Sequence, residues 1–293
     1  MPDHKNKDRL ILVTGATGHQ GGAVLRHLRE RGFPVRALVR DPDQPKAREL
    51  TGHGVEVVRG DMGDEASLTR AMDGLYGVYS VQTAHQAETE GEIRQGVRVA
   101  DAAKRSRISH FVYSSVASAD QRTGIPHFDS KYRIEQHIRA TGMRFTIVRP
   151  AFFMENWLGM RKDIESGAIH LPLSPETRLQ MIAVDDIGGI VANAFEHPGK
   201  WQNREFEIAG DELSMADVAG RFTRITGRDV RYVQTPWDEF EKQAGEDLTT
   251  MFRWFESTGY HVDISAVRQE YPKLMTFDRW ANAYWHAGTR TAG

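Results

Sequence analysis

Leu10-Ile11-Leu12-Val13-Thr14-Gly15-Ala16-Thr17-Gly18-His19-Gln20-Gly21 is the stretch on which the fold reading turns. Its first four residues are wholly apolar, as expected of a short strand buried on both faces. Gly21 to Arg31 then reads as a helix, with Val24, Leu25 and Leu28 on one side. Gly15, Gly18 and Gly21 stand between strand and helix. In that context glycine serves a tight turn, a close approach of backbone to a pyrophosphate, and close helix–strand packing. The helix N-terminus points amides and a positive dipole end at the same place. Thr17, His19 and Gln20 share the loop and join the three glycines as cofactor-binding candidates. The plainer alternative is a glycine-rich turn that holds nothing.

Working outward, the first 150 residues alternate between apolar runs and helical patterns. Val35–Val39, Val55–Val58, Val78–Val81, His110–Tyr113 and Phe145–Val148 read as further strands. Segments near Lys46–Leu50, Ser67–Met72, Ile93–Arg105 and Ser130–Thr141 read as the intervening helices. Crossovers of that length imply a parallel sheet covered on both faces. Beyond Pro150 the alternation loosens. Leu179–Val184, Phe206–Ala209 and Val230–Val233 suit strands. A helix capped by Asp185 or Asp186 runs to Phe195, and another follows Ser214 to Ile225, with Gly227 near its end. Trp237–Gly245 and Leu248–Phe255 also read as helices. The expected fold is α/β: a doubly wound parallel Rossmann sheet of six or seven strands with a smaller mixed α/β C-terminal lobe. The expected division is 1–150 for the dinucleotide-binding domain and 151–293 for a substrate or partner lobe packed on it, with some exchange of segments.

Composition narrows the function classes. The chain has 293 residues and a formal net charge of −2, with no Lys/Arg run, which argues against a nucleic-acid or membrane-surface partner. It has no cysteine, so disulfides, thiolate metal sites and a cysteine nucleophile are excluded together. The twelve histidines lack zinc-ligand spacing, so no metal is expected. The polar N-terminus has no signal-peptide core, and no apolar stretch is long enough to span a bilayer. The expectation is a cytoplasmic protein, with a homodimer as the default assembly.

The strand ends supply the rest of a cofactor edge, since open parallel sheets bind ligands at their carboxyl ends. Arg40 follows the second strand, where an NAD-preferring site carries an acidic residue; an arginine there can take a 2′-phosphate bidentately. Lys46 is a second candidate for that phosphate, and Arg36 a weaker one. Asp41 keeps NAD(H) open, so the expectation is NADP(H) preferred and NAD(H) possible. Asp61 and Met62 follow the third strand, Gln82 and Thr83 the fourth, Ser114 and Ser115 the fifth, and Phe152 and Phe153 the sixth; Asn156 comes shortly after. All are candidates for the cofactor pocket.

Gly-Ala-Thr-Gly-His-Gln-Gly-Gly at 15–22, Gly60-Asp61-Met62, Phe111-Val112-Tyr113-Ser114-Ser115, His127-Phe128-Asp129-Ser130-Lys131 and Phe153-Met154-Glu155-Asn156 resemble the NmrA-like family. That family is an atypical branch of the short-chain dehydrogenase/reductase superfamily. Asp247–Phe255 and Pro272–Trp280 are similar to the NmrA-like redox-sensor proteins of animals. The resemblance covers nearly the whole chain and implies Ser, Tyr and Lys as catalytic residues, the last two spaced Tyr-x-x-x-Lys. Lys131 matches the lysine, and Ser114 or Ser115 the serine, but His127 occupies the tyrosine position. Tyr132 points about 100° away from Lys131 on a helix, and Tyr113 lies on a strand. The catalytic candidates are therefore Lys131, His127 and Ser115, and the resemblance also makes Lys131 a cofactor-binding candidate through the ribose hydroxyls. His127 is either a proton donor, since imidazole titrates near neutrality, or simply a pocket residue.

Two functions follow from these residues and the resemblance. One is an NADPH-dependent reductase of a small hydrophobic carbonyl, quinone or enone. Phe152, Phe153, Met154 and Trp157, with Met251, Phe252, Trp254 and Phe255, offer it an aromatic surface, or else form core. The other is a non-catalytic NADPH/NADP sensor that regulates a protein partner.

Overall fold

A computed structural model describes residues 6–82 and 84–285; of residues 84–88 only the backbone is described. Thr83, one of the cofactor candidates, lies outside the described residues.

The strands are β1 Ile11–Val13, β2 Val35–Val39, β3 Glu56–Arg59, β4 Gly77–Ser80, β5 His110–Ser114, β6 Phe145–Pro150, β7 Phe152–Phe153, β8 Ala168–Leu171, β9 Arg178–Ile182, β10 Arg204–Ile208, β11 Asp211–Ser214 and β12 Arg231–Gln234. The first five helices are α1 His19–Glu30, α2 Pro45–Gly52, α3 Glu65–Ala71, α4 Ala84–Arg105 and α5 Pro126–Ala140. The main sheet has seven strands in the order β10-β6-β5-β4-β1-β2-β3. Pairings from β3 to β6 are parallel, with Leu12 opposite Arg36 on one side and Val78 on the other. The order reverses beside β1, and such a switch point opens a crevice above the strand ends. β1 is fully buried, whereas β3 at the edge is largely exposed, as a strand with one neighbour should be.

Period-2 alternation divides the core into two layers. Leu12, Leu38, Val78, Phe111, Tyr113 and Ile147 face one cluster with side chains of α3, α4 and α5, including Leu68, Val99, Ile134 and Ile138. On the other face α1 packs against the helix Val184–Glu196. There a β-carbon on Gly188 would meet the Ala23 carbonyl carbon at 2.7 Å, so that contact is backbone to backbone.

The chain forms two compact units. The first comprises 1–120, 127–149 and 187–206; the second comprises 121–126, 150–186 and 207–293. The second unit contains a three-stranded sheet, β11-β9-β7, and a two-stranded parallel pair, β12-β8. Its helix Met215–Thr226 carries a complete capping box between Ser214 and Asp217 and ends at Gly227 in the left-handed conformation. Its core is aromatic: Phe222 meets Trp157, Phe277 and Trp285 at centroid distances of 4.6–6.0 Å.

Several sequence expectations shift. The helix expected from Ser130 begins at Pro126, because proline is tolerated in the first turn where its missing N–H costs nothing. The helix expected from Ile93 begins at Ala84. Asp185 and Asp186 lie inside the first turn of Val184–Glu196 rather than capping it. The strand expected at Phe206–Ala209 is β10, which joins the main sheet. Strands β8 and β11 were not expected at all; each is four residues long.

Candidate functional site

The glycine loop is built by backbone constraints. Gly15 has φ +62°, a region that costs side-chain-bearing residues energy. Its carbonyl accepts the Gly18 amide at 2.9 Å, closing the turn. A β-carbon on Gly21 would sit 2.2 Å from that same carbonyl oxygen, so α1 reaches the strand end this closely only with glycine there. Thr14 fastens the loop to β4: its hydroxyl donates to the Val81 carbonyl at 3.1 Å and accepts the Val81 amide at 2.9 Å. Gly18 caps α1 without any side-chain hydrogen bond, and the first turn carries no acidic residue. Gly15, Thr17, Gly18 and His19 are all exposed. An open helix N-terminus with amides uncapped by side chains and no competing carboxylate suits a phosphate.

Gln20 turns inward, and its amide donates to the Ser114 hydroxyl at 2.5 Å, tying the loop to the end of β5. Ser115 donates its backbone N–H to Val148 at 2.8 Å, yet its buried hydroxyl has no hydrogen-bond partner among the described residues. Gln82 is also buried; its amide nitrogen reaches Ser80 Oγ at 2.9 Å and Met62 Sδ at 3.5 Å, while its Oε1 has no partner among the described residues. Asp61 folds its carboxylate onto the Gly63 amide at 2.6 Å, shaping the turn after β3. Loop, Gln20, Met62, Gln82, Ser114 and Ser115 thus converge on one sheet edge. Among the described residues these two buried oxygens, Ser115 Oγ and Gln82 Oε1, have no partner, as expected where a polar ligand belongs.

At the end of β2, Arg40 is exposed and Asp41 is engaged: Arg59 of β3 approaches its carboxylate at 3.6 Å, and the Asp43 amide donates to it at 3.1 Å. Arg36 is not available for a phosphate. Its guanidinium binds Glu56 at 2.8 Å and the Ala71 and Asp73 carbonyls at 2.8 Å each. Lys46 is exposed on the first turn of α2.

His127 and Lys131 stand four residues apart on α5, hence on one face. His127 is half-buried, edge-on to Phe128 at 5.0 Å. Lys131 Nζ lies 2.6 Å from Glu92 Oε1 and 3.3 Å from the Gln82 carbonyl. Neither Tyr113 nor Tyr132 takes the place of a tyrosine at position 127. Tyr113 is fully buried, and burial first, then Glu92 and Glu135, holds its phenol well above the ordinary range. Tyr132 lies under the Arg139 guanidinium at 5.5 Å. Glu92 and Arg59 escaped the sequence reading, and Ser130 entered it only as a motif residue and helix start. Glu92 escaped because it lies before Ile93, where the helix was expected to start.

Phe152, Phe153 and Asn156 belong to the second unit. Phe152 and Phe153 form β7 and are half-buried; Phe152 packs edge-on against Trp157 and Phe255 at 6.0 and 6.2 Å. Asn156 is exposed at the start of a four-residue helix. Met154, Trp157, Met251, Phe252 and Phe255 are buried, so most of the expected aromatic surface is lobe core. Among the described residues no cluster of His, Asp or Glu has metal-binding geometry, and no helix is long and apolar enough to cross a membrane.

The sheet order and its loop-bearing edge place the molecule in the Rossmann-type α/β class. Within it, the chain belongs to the NmrA-like family, whose model matches residues 7–281. It is 33% identical over 237 residues to the NAD(P)H azoreductase of Xenophilus azovorans, spanning 80% of each protein. Its fold is similar to that of the Citrobacter sp. triphenylmethane reductase complexed with NADP(H), with TM-score 0.81 and 23% identity over 94% of this chain and 99% of that one. It is equally similar to NmrA, a negative transcriptional regulator, in complex with NADP, with TM-score 0.82 and 21% identity over 98% of both.

Proposed function

We propose that this chain binds NADP(H) in preference to NAD(H) and uses it to reduce a small hydrophobic acceptor such as a quinone, enone or conjugated carbonyl. The observation that carries the reading is the open Gly15–Gly21 loop, whose helix terminus has no side-chain cap and no acid in its first turn. The Ser115 hydroxyl and Gln82 Oε1, without a partner among the described residues, fit a polar cofactor on the same edge. Preference for the 2′-phosphate rests on the residues after β2. Asp41, the acid that would favour NAD, already faces Arg59, while Arg40 and Lys46 are exposed cations beside it. The azoreductase relative supports NAD(P)H chemistry on an extended conjugated acceptor.

Bound there, a reduced nicotinamide supplies the hydride, and the chain supplies orientation and a proton. Lys131 holds a ribose hydroxyl. His127 and Ser115 are the groups able to pass a proton to the acceptor. The absence of tyrosine from position 127 favours a second reading, an NADP(H) sensor that regulates a protein partner without turnover.

NADPH consumption against quinones, enones and azo dyes separates the two: turnover supports the reductase, and tight binding with no turnover supports the sensor. Arg40→Asp tests the cofactor preference. A charge-assisted phosphate contact is lost, so NADPH affinity should fall about tenfold or more while NADH affinity stays level or rises. Unchanged NADPH affinity would remove Arg40 from the site.

A further inference from the structure

Lys131 does not stand alone. Its ammonium lies against a carboxylate, Glu92, that is completely buried on α4. The other carboxylate oxygen of Glu92 accepts the Ser130 hydroxyl at 2.5 Å. Ser130 is itself fully buried. One glutamate therefore grips two consecutive residues of α5.

The grip has a structural origin one turn further along. A β-carbon on Gly96 would meet Ile134 side-chain carbons at 2.6–2.8 Å, so α4 and α5 approach each other unusually closely there. Glu92 precedes Gly96 by four residues, and Ser130 precedes Ile134 by four. His137 and Asp101 continue the same alignment at 2.7 Å. The two helices run side by side in the same direction, and the close contact at Gly96 brings Glu92 within reach of Lys131.

Stability alone is a poor reason for such a pair. Burying an ion pair forfeits hydration that its mutual attraction seldom recovers, and a well-packed apolar pair is often as stable. Geometry offers a better one. An ammonium has three donors. Glu92 takes one and the Gln82 carbonyl takes another. The third has no acceptor among the described residues, and the Gln82 carbonyl lies just past the end of β4, on the cofactor edge.

We infer that Glu92 is a positioning residue that holds the Lys131 ammonium at the end of β4 so that its remaining N–H is offered to a ribose hydroxyl of the nicotinamide half of the cofactor. The inference rests on the NADP(H) reading of this edge. In this arrangement Lys131 acts as a fixed donor. Its charge is offset at 2.6 Å, so it is a weak electrostatic activator of an acid at position 127.

The test uses two ligands on the intact protein. NADPH carries the nicotinamide riboside; adenosine 2′,5′-bisphosphate carries only the adenosine end. Glu92→Gln keeps the volume and an acceptor for Ser130 but removes the charge. It should weaken NADPH about tenfold and leave the bisphosphate within about twofold. Lys131→Met should do the same, and adding Glu92→Gln to Lys131→Met should weaken NADPH no further, because the glutamate acts through the lysine. Glu92→Asp, which keeps the charge on a shorter arm, is the second variant should Glu92→Gln not fold; it should weaken NADPH several-fold and spare the bisphosphate. Equal loss of both ligands would show a merely structural role and overturn the proposal. So would an undiminished Glu92→Gln effect on the Lys131→Met background, or unchanged NADPH affinity in Glu92→Gln. Wild-type protein that binds neither ligand would instead overturn the cofactor reading, and this inference with it.

Discussion

Gly21 is where one missing methyl group matters most. Its absent β-carbon leaves room for the Gly15 carbonyl oxygen, which would otherwise be 2.2 Å away, with the Thr14 oxygen at 2.8 Å. Both are backbone atoms of the turn, so neither can rotate aside. Gly21→Ala must push α1 off the end of β1, an overpacking that costs about 3 kcal/mol, or a fall in Tm of roughly 5–10 °C. NADPH binding should disappear with it, since the amides of α1 would no longer face the loop. Gly52→Ala is the matched control: nothing lies within 4 Å of its β-carbon, and it closes α2, so the same methyl should leave Tm unchanged or slightly raised. Equal melting temperatures for the two variants would refute the packing argument. This residue was legible from sequence, because the need for glycine there follows from the strand–turn–helix context. Ser115 was legible only as a candidate; that its hydroxyl is buried and has no partner among the described residues is a property of the fold, not of the local sequence.

At the scale of elements, α5 is joined to its sheet by charge. Arg149 at the end of β6 binds Glu135 of α5 through Nε at 2.9 Å and Nη2 at 2.7 Å. It also reaches Asp120 and Glu205 of β10 at 2.8 Å each. Glu135 is fully buried, and Arg139 is its other partner, at 2.8 Å. Arg149→Met strands that carboxylate with one cation and should destabilise the protein by about 3–5 kcal/mol in urea unfolding. Adding Glu135→Leu should return part of the loss, because the uncompensated buried charge is then gone. A cost below about 1 kcal/mol for Arg149→Met would show the network to be a surface-like cluster. None of it was legible, since its members are far apart in sequence and each reads as an ordinary surface charge. Strands β1, β2 and β4–β6 were legible because both faces are buried and the runs are apolar. The front of α4 was not. Its residues before Ile93 are mostly polar, which removes the periodicity that marks a helix. With it went Glu92, and so the partner of Lys131. Strands β8 and β11 were missed for another reason: each owes its existence to a partner strand dozens of residues away.

For the molecule as a whole, stability against pH is set by groups in both units that pull in opposite directions. In the second unit, three carboxylates, of which Asp186 is buried, secure the C-terminal segment. Glu155 accepts the Trp280 indole N–H at 3.0 Å, Asp186 the Met275 amide at 2.8 Å, and Asp211 the Phe277 amide at 2.8 Å. Burial pushes the Asp186 pKa up from 3.8 to about 7; the Met275 amide opposes this, Asp185 and Glu155 add to it, and Arg279 opposes it. A carboxyl group raised in this way favours its protonated form in the folded state. Its contribution is therefore most favourable below pH 3.8 and is lost as pH rises to about 7, beyond which it is constant. In the first unit burial lowers the His110 pKa from 6.5 to about 4, so its contribution is lost as pH falls through that range. The two slopes oppose each other between about pH 4 and 6.5, and a wild-type profile alone would not reveal either. The difference between wild type and Asp186→Asn does. The amide still accepts from Met275 but cannot ionise, so the variant's advantage should grow between pH 5 and pH 8, by up to about 3 kcal/mol at roughly 1.4 kcal/mol per pH unit. Urea unfolding of both proteins at pH 5, 6, 7 and 8 measures it. A stability difference that stays flat across the series would mean that Asp186 is ionised throughout and that Arg279 outweighs its burial.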